Sequence, residues 1–299
     1  MKILITGSNG LLGQKLVQLY ENKRDVEVIA TGRGENRNPK NSFSYIQMDI
    51  TSEQEVIEII GNQKPDVVIN TAAMTHVDEC ELNPEKCWKL NVTAVEHLVK
   101  ACMQTSSFLI HLSTDFIFDG TNGPYTEDDL PNPLSKYAES KLESERLLEA
   151  SGINHAIVRT MLVYGVVHDM SRSNIILWVK KSLEEGRHIK VVNDQWRTPT
   201  LAEDLARGCA LIADKCAEGV FNISGKDLLT PYDMAMLTAE FFELDKSLIE
   251  EVDGSTFTQP AKRPAKTGFV LDKAKRELGY NPVSFQEGLA TLKAQLKDV

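Results

Sequence analysis

Tyr137 and Lys141 are the two residues whose types and spacing best predict acid–base chemistry. On a helix, side chains four residues apart lie on one face. A tyrosine has an ordinary pKa of about 10, so it exchanges protons near neutral pH only where a neighbouring cation stabilises its phenolate. The ammonium group of Lys141 is such a cation. A Tyr-x-x-x-Lys pair alone is not specific, but it predicts a site where a phenol gives or takes a proton.

A glycine-rich turn near the start of the chain predicts a cradle for phosphate. Residues 3–13 read ILITGSNGLLG, an apolar run that breaks into Gly7, Gly10 and Gly13. The first glycine permits a tight turn, the second lets the backbone approach a pyrophosphate, and the third lets a helix pack closely on the strand. The N-terminus of that helix offers free N–H groups to an anion. The spacing is Gly-x-x-Gly-x-x-Gly rather than Gly-x-Gly-x-x-Gly, and its place behind a buried strand favours a dinucleotide.

The end of the second predicted strand bears on which dinucleotide is bound. NAD-binding proteins usually place Asp or Glu there to bond the ribose 2′-hydroxyl. This chain has Arg33 instead, where a 2′-phosphate would need a cation. Arg33 therefore favours NADP(H), with NAD(H) as the alternative; the other interpretation is that Arg33 is only a solvated loop residue. After the third strand, Asp49 and Ile50 are placed to reach the adenine ring.

Alternating strands and helices predict an α/β fold, a doubly wound parallel sheet of the Rossmann type with a smaller C-terminal substrate-binding region. Short apolar runs bounded by turn residues are typical of parallel strands covered on both faces, and their alternation with helices implies right-handed crossovers. The predicted strands are Lys2–Thr6, Val26–Thr31, Ser44–Gln47, Val67–Asn70, Phe108–Ser113 and Ala156–Thr160. The predicted helices are Leu11–Asn22, Glu53–Asn62, Pro84–Thr105 and Ser135–Ala150, the last with Ser135 as its N-cap.

The pattern loosens after about residue 160, which predicts a second region. We expect residues 1–160 to form the dinucleotide-binding domain, rejoined by about 200–225, and residues 161–299 to be mainly substrate-binding. Ligands of doubly wound folds bind beyond the carboxyl ends of the strands, so the second region should cap that crevice. Its predicted elements are a helix near Ser173–Glu185, a strand at Ile189–Val192, a helix from Ala202 and a strand at Val220–Ser224 that rejoins the main sheet.

Composition excludes several classes of function. The chain has 299 residues, of which 42% are apolar, and a net charge of −10, which argues against nucleic acid as a partner. Five cysteines without a Cys-x-x-Cys pair favour reduced thiols in a cytoplasmic protein. We expect no signal peptide, because a strand begins at once, and no membrane segment, because no apolar stretch approaches about 20 residues. The six histidines lack metal-ligand spacing, and no metal site is predicted.

These residues, with others along nearly the whole chain, resemble the extended short-chain dehydrogenase/reductase family. Within that family, the stretch STDFIFDG at residues 113–120, followed by Pro124, Tyr125 and Pro133, is most similar to the dTDP-4-dehydrorhamnose reductases. The other matching segments are NTAAMTHVD at residues 70–78, Asn91, the run from Arg159 to Gly165, and Asp194-Gln195 with Pro199-Thr200.

The resemblance implies an NADPH-dependent reductase of a nucleotide-linked 4-keto-6-deoxysugar. Tyr137 would protonate the C4 oxygen as hydride arrives, Lys141 would bond the nicotinamide ribose and lower the tyrosine pKa, and Thr114 would orient the carbonyl. The implied cofactor residues are Gly7, Asn9, Gly10, Leu11, Leu12, Gly13, Arg33, Asp49, Ile50, Thr71, Ala72, Ala73, Asn91, Ser113, Tyr137 and Lys141. The implied substrate residues are Thr75, Asp115, Phe116, Arg197 and Arg263, with a surface role as the alternative for the two arginines.

The chain departs from the reductase pattern where the sugar would bind. Phe116 stands where that family has tyrosine, and Met161-Leu162 stand where it has Ser-Trp. The loop at residues 195–198, QWRT, also differs from the usual glycine-bearing loop. None of these differences touches hydride transfer, but they bear on which sugar nucleotide is bound.

Two other functions stay open at this point. A sugar-nucleotide epimerase or dehydratase belongs to the same superfamily, but dehydratases usually carry glutamate where this chain has Phe116, which argues against water elimination. A non-catalytic regulatory subunit, similar to the β subunit of methionine adenosyltransferase, is favoured by Leu162, by the tryptophan-containing loop near Trp196 and by Arg263-Pro264. The oligomeric state, with a homodimer as one option, is also left open.

Overall fold

Parallel strands form the core of this computed structural model, which describes residues 1–21, 23–38, 42–170 and 173–297. The strands are β1 (Lys2–Thr6), β2 (Glu27–Gly32), β3 (Ser44–Gln47), β4 (Val67–Asn70), β5 (Phe108–Thr114), β6 (His155–Thr160), β7 (Val163–Tyr164), β8 (Ile189–Val192), β9 (Thr200–Leu201), β10 (Gly219–Asn222) and β11 (Ile249–Val252).

In the described part of the chain, seven of these strands make one sheet in the order β10-β6-β5-β4-β1-β2-β3, and all neighbours run parallel. The direction of winding reverses between β1 and β4. In doubly wound sheets such a reversal opens a crevice at the carboxyl ends of the two strands. The predicted fold class is therefore confirmed.

Helices cover both faces of the sheet. They are α1 (Leu11–Glu21), α2 (Glu53–Gln63), α3 (Val77–Leu82), α4 (Pro84–Trp88), α5 (Ala94–Thr105), α6 (Lys136–Ser151), α7 (Ile175–Glu184), α8 (Ala202–Lys215), α9 (Pro231–Phe241) and α10 (Phe285–Gln295). Successive residues of a strand point to opposite faces. Ile3 and Ile5 accordingly pack in a core with Leu16 of α1, whereas Leu4 packs in a second core with Val56 of α2.

One predicted helix is wrong, because it is not continuous in the structure. The pattern predicted a continuous helix over Pro84–Thr105, but the structure breaks it into α4, a π-helical turn at Lys89–Thr93, and α5. The sequence analysis also missed the short helix α3, whose first turn is capped by the side chain of His76 through a 3.2 Å bond from the Glu79 N–H. The predicted end of α1 at Asn22 lies outside the described residues.

The strand predicted at Val220–Ser224 does rejoin the main sheet. It is β10, and it pairs with β6 in a register that places Phe221 opposite Val158. Between these two neighbouring strands the chain leaves the sheet and forms α7, β8 and α8. β8 pairs with β11, and β7 with β9, in two small sheets outside the main one. The division of the chain into two functional regions stays a prediction.

No helix in the described ranges is both long and apolar enough to cross a membrane.

Candidate active site

The carboxyl ends of β1, β4 and β5 meet at the crevice and bring the predicted residues together. Gly7 follows β1, Thr71 follows β4, and Thr114 ends β5. The hydroxyl of Thr71 donates to the Thr6 carbonyl at 2.6 Å, which ties the two strand ends to one another. Ala72 lies against the same turn, because its N–H donates to the hydroxyl of Thr6 at 3.4 Å.

The turn after β1 has no room for a side chain at Gly7 or Gly13. Gly7 has φ +64°, and a Cβ there would lie 2.9 Å from the backbone nitrogen of Ala72. A Cβ on Gly13 would overlap the Gly7 carbonyl oxygen and the Cα of Ser8. α1 begins at Leu11, followed by Leu12, so its first N–H groups face the turn. This geometry fits an anion at the helix N-terminus.

Two hydroxyls on the wall of the crevice are buried and, among the described residues, have no hydrogen-bond partner. Ser8 lies in the glycine turn with no exposed surface, and Ser113 lies at the end of β5 with 5% exposure. A buried hydroxyl without a partner costs roughly 1–3 kcal/mol. Buried hydroxyls without hydrogen-bond partners beside the glycine turn are consistent with the binding of a polar ligand such as a dinucleotide.

Replacing Gly13 with alanine should disrupt the cradle. The new Cβ must push α1 away from the turn, so we expect a loss of stability of about 1–3 kcal/mol and a weaker affinity for dinucleotide. Gly61→Ala is the matched control, because a Cβ there meets nothing within 4 Å and lies in α2. That substitution should stabilise the helix by up to about 1 kcal/mol. Urea unfolding and fluorescence titration with NADPH would measure both effects, and equal behaviour of the two variants would contradict the prediction.

The loop after β2 is held by Asn9 of the glycine turn. Its side chain donates to the Glu35 carbonyl at 2.9 Å and accepts from the Arg37 N–H at 2.9 Å. Arg33 is exposed on this loop and lies near Asp49. Burial opposes ionisation of Asp49, but hydrogen bonds from Thr51 and nearby cations, Arg33 among them, hold its pKa below its ordinary value.

Tyr137 and Lys141 lie on the buried face of α6. Ser135 caps the helix by accepting the Ala138 N–H at 3.3 Å, as predicted. Tyr137 is 8% exposed and Lys141 is 1% exposed. Burial raises the pKa of Tyr137 well above its ordinary value, a hydrogen bond with Thr114 acting in the opposite direction. Burial lowers the pKa of Lys141 to about 8.

Thr114 connects the phenol to a buried carboxylate. Its hydroxyl donates to Asp115 at 3.2 Å, at the start of a short 3₁₀ turn over Asp115–Ile117. Asp115 is 2% exposed, and burial raises its pKa, with Arg197 acting in the opposite direction. The ring of Phe116 in the same turn meets the Tyr137 ring edge to face, with centroids 6.0 Å apart.

Arg197 is buried and bound to the protein itself. Its Nε lies 3.5 Å from an oxygen of Asp115, and its Nη2 donates to the Pro264 carbonyl at 2.7 Å. The guanidinium also lies 5.6 Å from the ring centre of Phe116. Arg197 therefore fastens the segment around residue 264 to the end of β5. Arg263 is similarly paired, with an oxygen of Asp78 at 2.7 Å.

Asn91 holds the segment that follows β4. Placed in the π-helical turn, its side-chain oxygen accepts the Met74 N–H at 2.8 Å, and its nitrogen donates to the Met74 carbonyl at 3.0 Å. The same nitrogen donates to the hydroxyl of Ser140 on α6 at 3.0 Å. Asn91 thus fixes residues 71–74, which include Ala73, while Thr75 is exposed at the end of that segment.

The sequence analysis missed one residue of the site, His111. Its Nε2 lies 2.9 Å from Nζ of Lys141, although the sequence showed it only as one of several scattered histidines. The sequence signal that could have found His111 is the alternation of side chains along β5, which places His111 on the same strand face as Ser113.

Ile50 also has a structural contact, because its carbonyl bonds His97 at 3.0 Å. No group of three or more His, Cys, Asp or Glu in the described ranges is arranged to hold a metal ion.

Known proteins match nearly the full length of the chain. The family model described as RmlD substrate binding domain matches residues 1–297. The probable low-salt glycan biosynthesis reductase Agl14 of Haloferax volcanii is 32% identical over 100% of this chain and 99% of its own length. Methionine adenosyltransferase 2 subunit beta of Bos taurus is 32% identical over 88% of this chain and 78% of its own.

A solved structure shows the same fold. It is a dTDP-4-dehydrorhamnose reductase from Clostridium acetobutylicum, and it is 31% identical. The two structures superimpose with a TM-score of 0.88, covering 99% of this chain and 100% of that one.

Proposed function

The chain belongs to the RmlD substrate binding domain family, within the extended short-chain dehydrogenases/reductases, and from that premise we propose that it reduces a nucleotide-linked 4-keto-6-deoxysugar with NADPH. Family membership confirms the resemblance recognised in the sequence and its class, the NAD(P)-dependent oxidoreductases. One observation carries the proposal for this chain: Tyr137 and Lys141 lie buried on one face of α6, with Thr114 bonded to the phenol beside the glycine cradle.

Tyr137 is the acid of the proposed reaction. Reduction of a carbonyl needs a proton donor at the oxygen, and burial keeps this phenol protonated. Thr114 is placed to orient the same oxygen, because its hydroxyl already contacts the phenol. When bound, a reduced nicotinamide supplies the hydride. Lys141 would then bond the nicotinamide ribose and stabilise the phenolate that remains after proton transfer.

The residues present fit a dinucleotide. The glycines at positions 7 and 13 let the turn pack tightly against the segment after β4 and against α1, and the hydroxyls of Ser8 and Ser113 supply polar groups without partners. The residues that would hold the cofactor are Gly7, Asn9, Gly10, Leu11, Leu12, Gly13, Arg33, Asp49, Ile50, Thr71, Ala72, Ala73, Asn91, Ser113, Tyr137 and Lys141. Asn91 would act through the segment that it fixes, because its amide is already bonded to Met74 and Ser140.

Arg33 should set the preference for NADPH over NADH. Its side chain is exposed on the loop that Asn9 fixes, and we expect Arg33→Ser to raise the KM for NADPH about tenfold or more, since a charge-assisted bond to the 2′-phosphate is lost. The KM for NADH should stay unchanged. Arg24→Ser removes an exposed arginine just before β2 and serves as the control. Initial rates with each cofactor make the measurement, and an equal change for both cofactors would count against this role.

The substrate residues fall into two groups. Phe116 is half-buried beside Tyr137 and Thr75 is exposed, so both can contact a ligand in the crevice. Asp115, Arg197 and Arg263 already have buried or partly buried ion-pair partners in the protein. We propose that these three shape the wall of the sugar-nucleotide site, and that a ligand phosphate would have to compete with Asp78 for Arg263.

Turnover of nucleotide sugars tests the proposal directly. The chain is incubated with NADPH and a panel of dTDP- and UDP-linked 4-keto-6-deoxysugars, with NADPH oxidation followed by absorbance and products by mass spectrometry. Oxidation that depends on one of these sugars, with a product heavier by two hydrogens, is the expected result. Binding of NADPH without oxidation across the whole panel would overturn it.

A regulatory subunit is the second candidate, favoured by the 32% identity to methionine adenosyltransferase 2 subunit beta. In that case, NADPH would bind without turnover, and the chain would form a complex with a catalytic subunit. Gel filtration with a methionine adenosyltransferase catalytic subunit, run beside the turnover panel, separates the two candidates.

A further inference from the structure

His111 is a buried side chain that the proposed reduction does not use, and it touches the lysine that the reduction needs. It lies in the middle of β5 with 1% of its surface exposed. Nδ1 faces the side-chain nitrogen of Asn70 at 3.0 Å. Nε2 faces the Ser144 hydroxyl at 3.0 Å and Nζ of Lys141 at 2.9 Å.

A chain of hydrogen bonds from the sheet decides which ring nitrogen carries the proton. The Ala72 N–H donates to the hydroxyl of Thr6, so the hydroxyl proton of Thr6 is directed to Asn70 Oδ1, 2.6 Å away. With its oxygen accepting that bond, Asn70 presents its NH₂ group to His111. Nδ1 must then be the acceptor, and a neutral imidazole carries its proton on Nε2.

The groups around Nε2 fit this tautomer. The hydroxyl of Ser144 donates its own proton to the Lys141 carbonyl at 2.7 Å, so its oxygen is left to accept from Nε2–H. Nζ of Lys141 is equally close to Nε2. An ammonium group has donors only, whereas a neutral amine has a lone pair that can accept. With its single proton on Nε2, the imidazole has no lone pair there to accept from Nζ, and this disfavours the ammonium form at such a distance.

We propose that His111 is a positioning residue, which the Thr6–Asn70 chain holds with its proton on Nε2, and which favours the neutral amine of Lys141 over its ammonium form until a nucleotide enters. The functional meaning rests on the proposed reduction, in which Lys141 acts as a cation. Because the cation must form when the ribose binds, cofactor binding above the pKa of Lys141 takes up a proton.

Other groups near His111 and Lys141 also shift the pKa values of these two residues. Burial is the largest cause that lowers the pKa of Lys141, and Glu145 and Cys87 act in the opposite direction. Burial also holds the pKa of His111 well below its ordinary value, with smaller contributions from Lys141 and His155. The buried ionisable groups on the elements packed around His111 and Lys141 include Tyr137 and Glu145 on α6, Cys87 on α4, Asp115 after β5 and Arg159 on β6, and β6 also carries the half-buried His155.

Nuclear magnetic resonance of the full, cofactor-free chain tests the proposal without using turnover. With ¹⁵N-labelled histidine, we expect His111 to show a protonated Nε2, a bare Nδ1, and no titration near its ordinary pKa. With ¹³Cε-labelled lysine, the Lys141 signal should titrate well below the other lysines; Lys141→Arg identifies it by its loss. A proton on Nδ1, or titration of His111 near its ordinary pKa, would overturn the proposal.

Asn70→Asp reverses the hydrogen-bond chain. A carboxylate accepts from both Thr6 and Nδ1, so Nε2 would become an acceptor for an ammonium, and the pKa of Lys141 should rise by about one unit or more. The same substitution combined with His111→Leu keeps the new charge but removes the imidazole, and the rise should be smaller there. An equal rise in both backgrounds would show direct charge action and refute the role of His111. If either variant fails to fold, the wild-type histidine spectrum still decides the tautomer.

Failure of this inference and failure of the proposed function are distinguishable. The tautomer and the lysine titration are read in a protein that needs no substrate. Calorimetry of NADPH binding in buffers of different ionisation enthalpy then measures the proton uptake, which we expect above pH 8 and not in the Lys141→Arg variant. Absence of turnover with the expected tautomer would reject only the reduction, whereas turnover with the opposite tautomer would reject only the role of His111.

Discussion

Tyr137→Phe is expected to lower kcat for the NADPH-dependent reduction by about 10²–10⁴-fold, the usual contribution of a positioned general acid. The phenol lies beside Thr114, and burial keeps it protonated over the working pH range. Phenylalanine fills the same space, so the affinity for NADPH should change little. Initial-rate kinetics with the active nucleotide sugar, together with an NADPH titration, would measure the two quantities.

Tyr280→Phe is the matched control for that substitution. Tyr280 is also buried, and its hydroxyl donates to the Ser224 carbonyl at 2.9 Å, away from the crevice. Its loss should cost about 0.5–1.5 kcal/mol of stability and leave kcat unchanged. If Tyr137→Phe kept kcat within a factor of about three of wild type, against the 10²–10⁴ expected of a general acid, another group would have to supply the proton.

Arg159→Met is expected to lower the free energy of unfolding by about 3–5 kcal/mol. The Arg159 and Glu145 side chains are only 5% and 2% exposed, and Nη2 lies 2.8 Å from the carboxylate. The substitution leaves the carboxylate buried without its cation, which is the costly arrangement. Urea unfolding followed by circular dichroism gives the change in free energy.

Two further variants show whether the loss of stability comes from the unpaired buried carboxylate or from the loss of any ion pair. The double substitution Arg159→Met with Glu145→Leu removes both charges, and it should recover much of the lost stability. Lys100→Met breaks an exposed pair with Glu53 and should leave the unfolding midpoint almost unchanged. Similar losses for Arg159→Met and the double variant would contradict the explanation, because the buried carboxylate would then not be the cause.

The sheet and the glycine cradle could be predicted because their signals are local. The apolar run over Val67–Asn70 is fully buried in the structure, and Gly13 is needed because a Cβ there would overlap Gly7 and Ser8, which lie only a few positions earlier in the chain. The same holds for the pairing of Tyr137 with Lys141, since helical spacing alone puts them on one face.

The contacts that complete the site depend on residues far apart in the chain. Arg197 has the residue type of a phosphate ligand, but its partners Asp115 and Pro264 come from distant segments, so spacing could not predict its burial. The π-helical turn over Lys89–Thr93 arises where Asn91 turns towards Met74, a contact that helical periodicity does not contain. His111 shows the same limit, because its role depends on Asn70 of the neighbouring strand.

The return of the chain to the sheet at β10 has a mechanical consequence. Because β6 and β10 are parallel, residues 161–218 leave the sheet at the carboxyl end of β6 and return at the amino end of β10, so their two attachment points lie roughly 14 Å apart, at opposite ends of the strands. The last helix of this excursion, α8, shares a buried core with Ile3 and Leu16, which fastens the excursion to the sheet between its two ends as well. We therefore expect this part of the chain to move together with the sheet, in contrast to the free rotation that one flexible linker would allow.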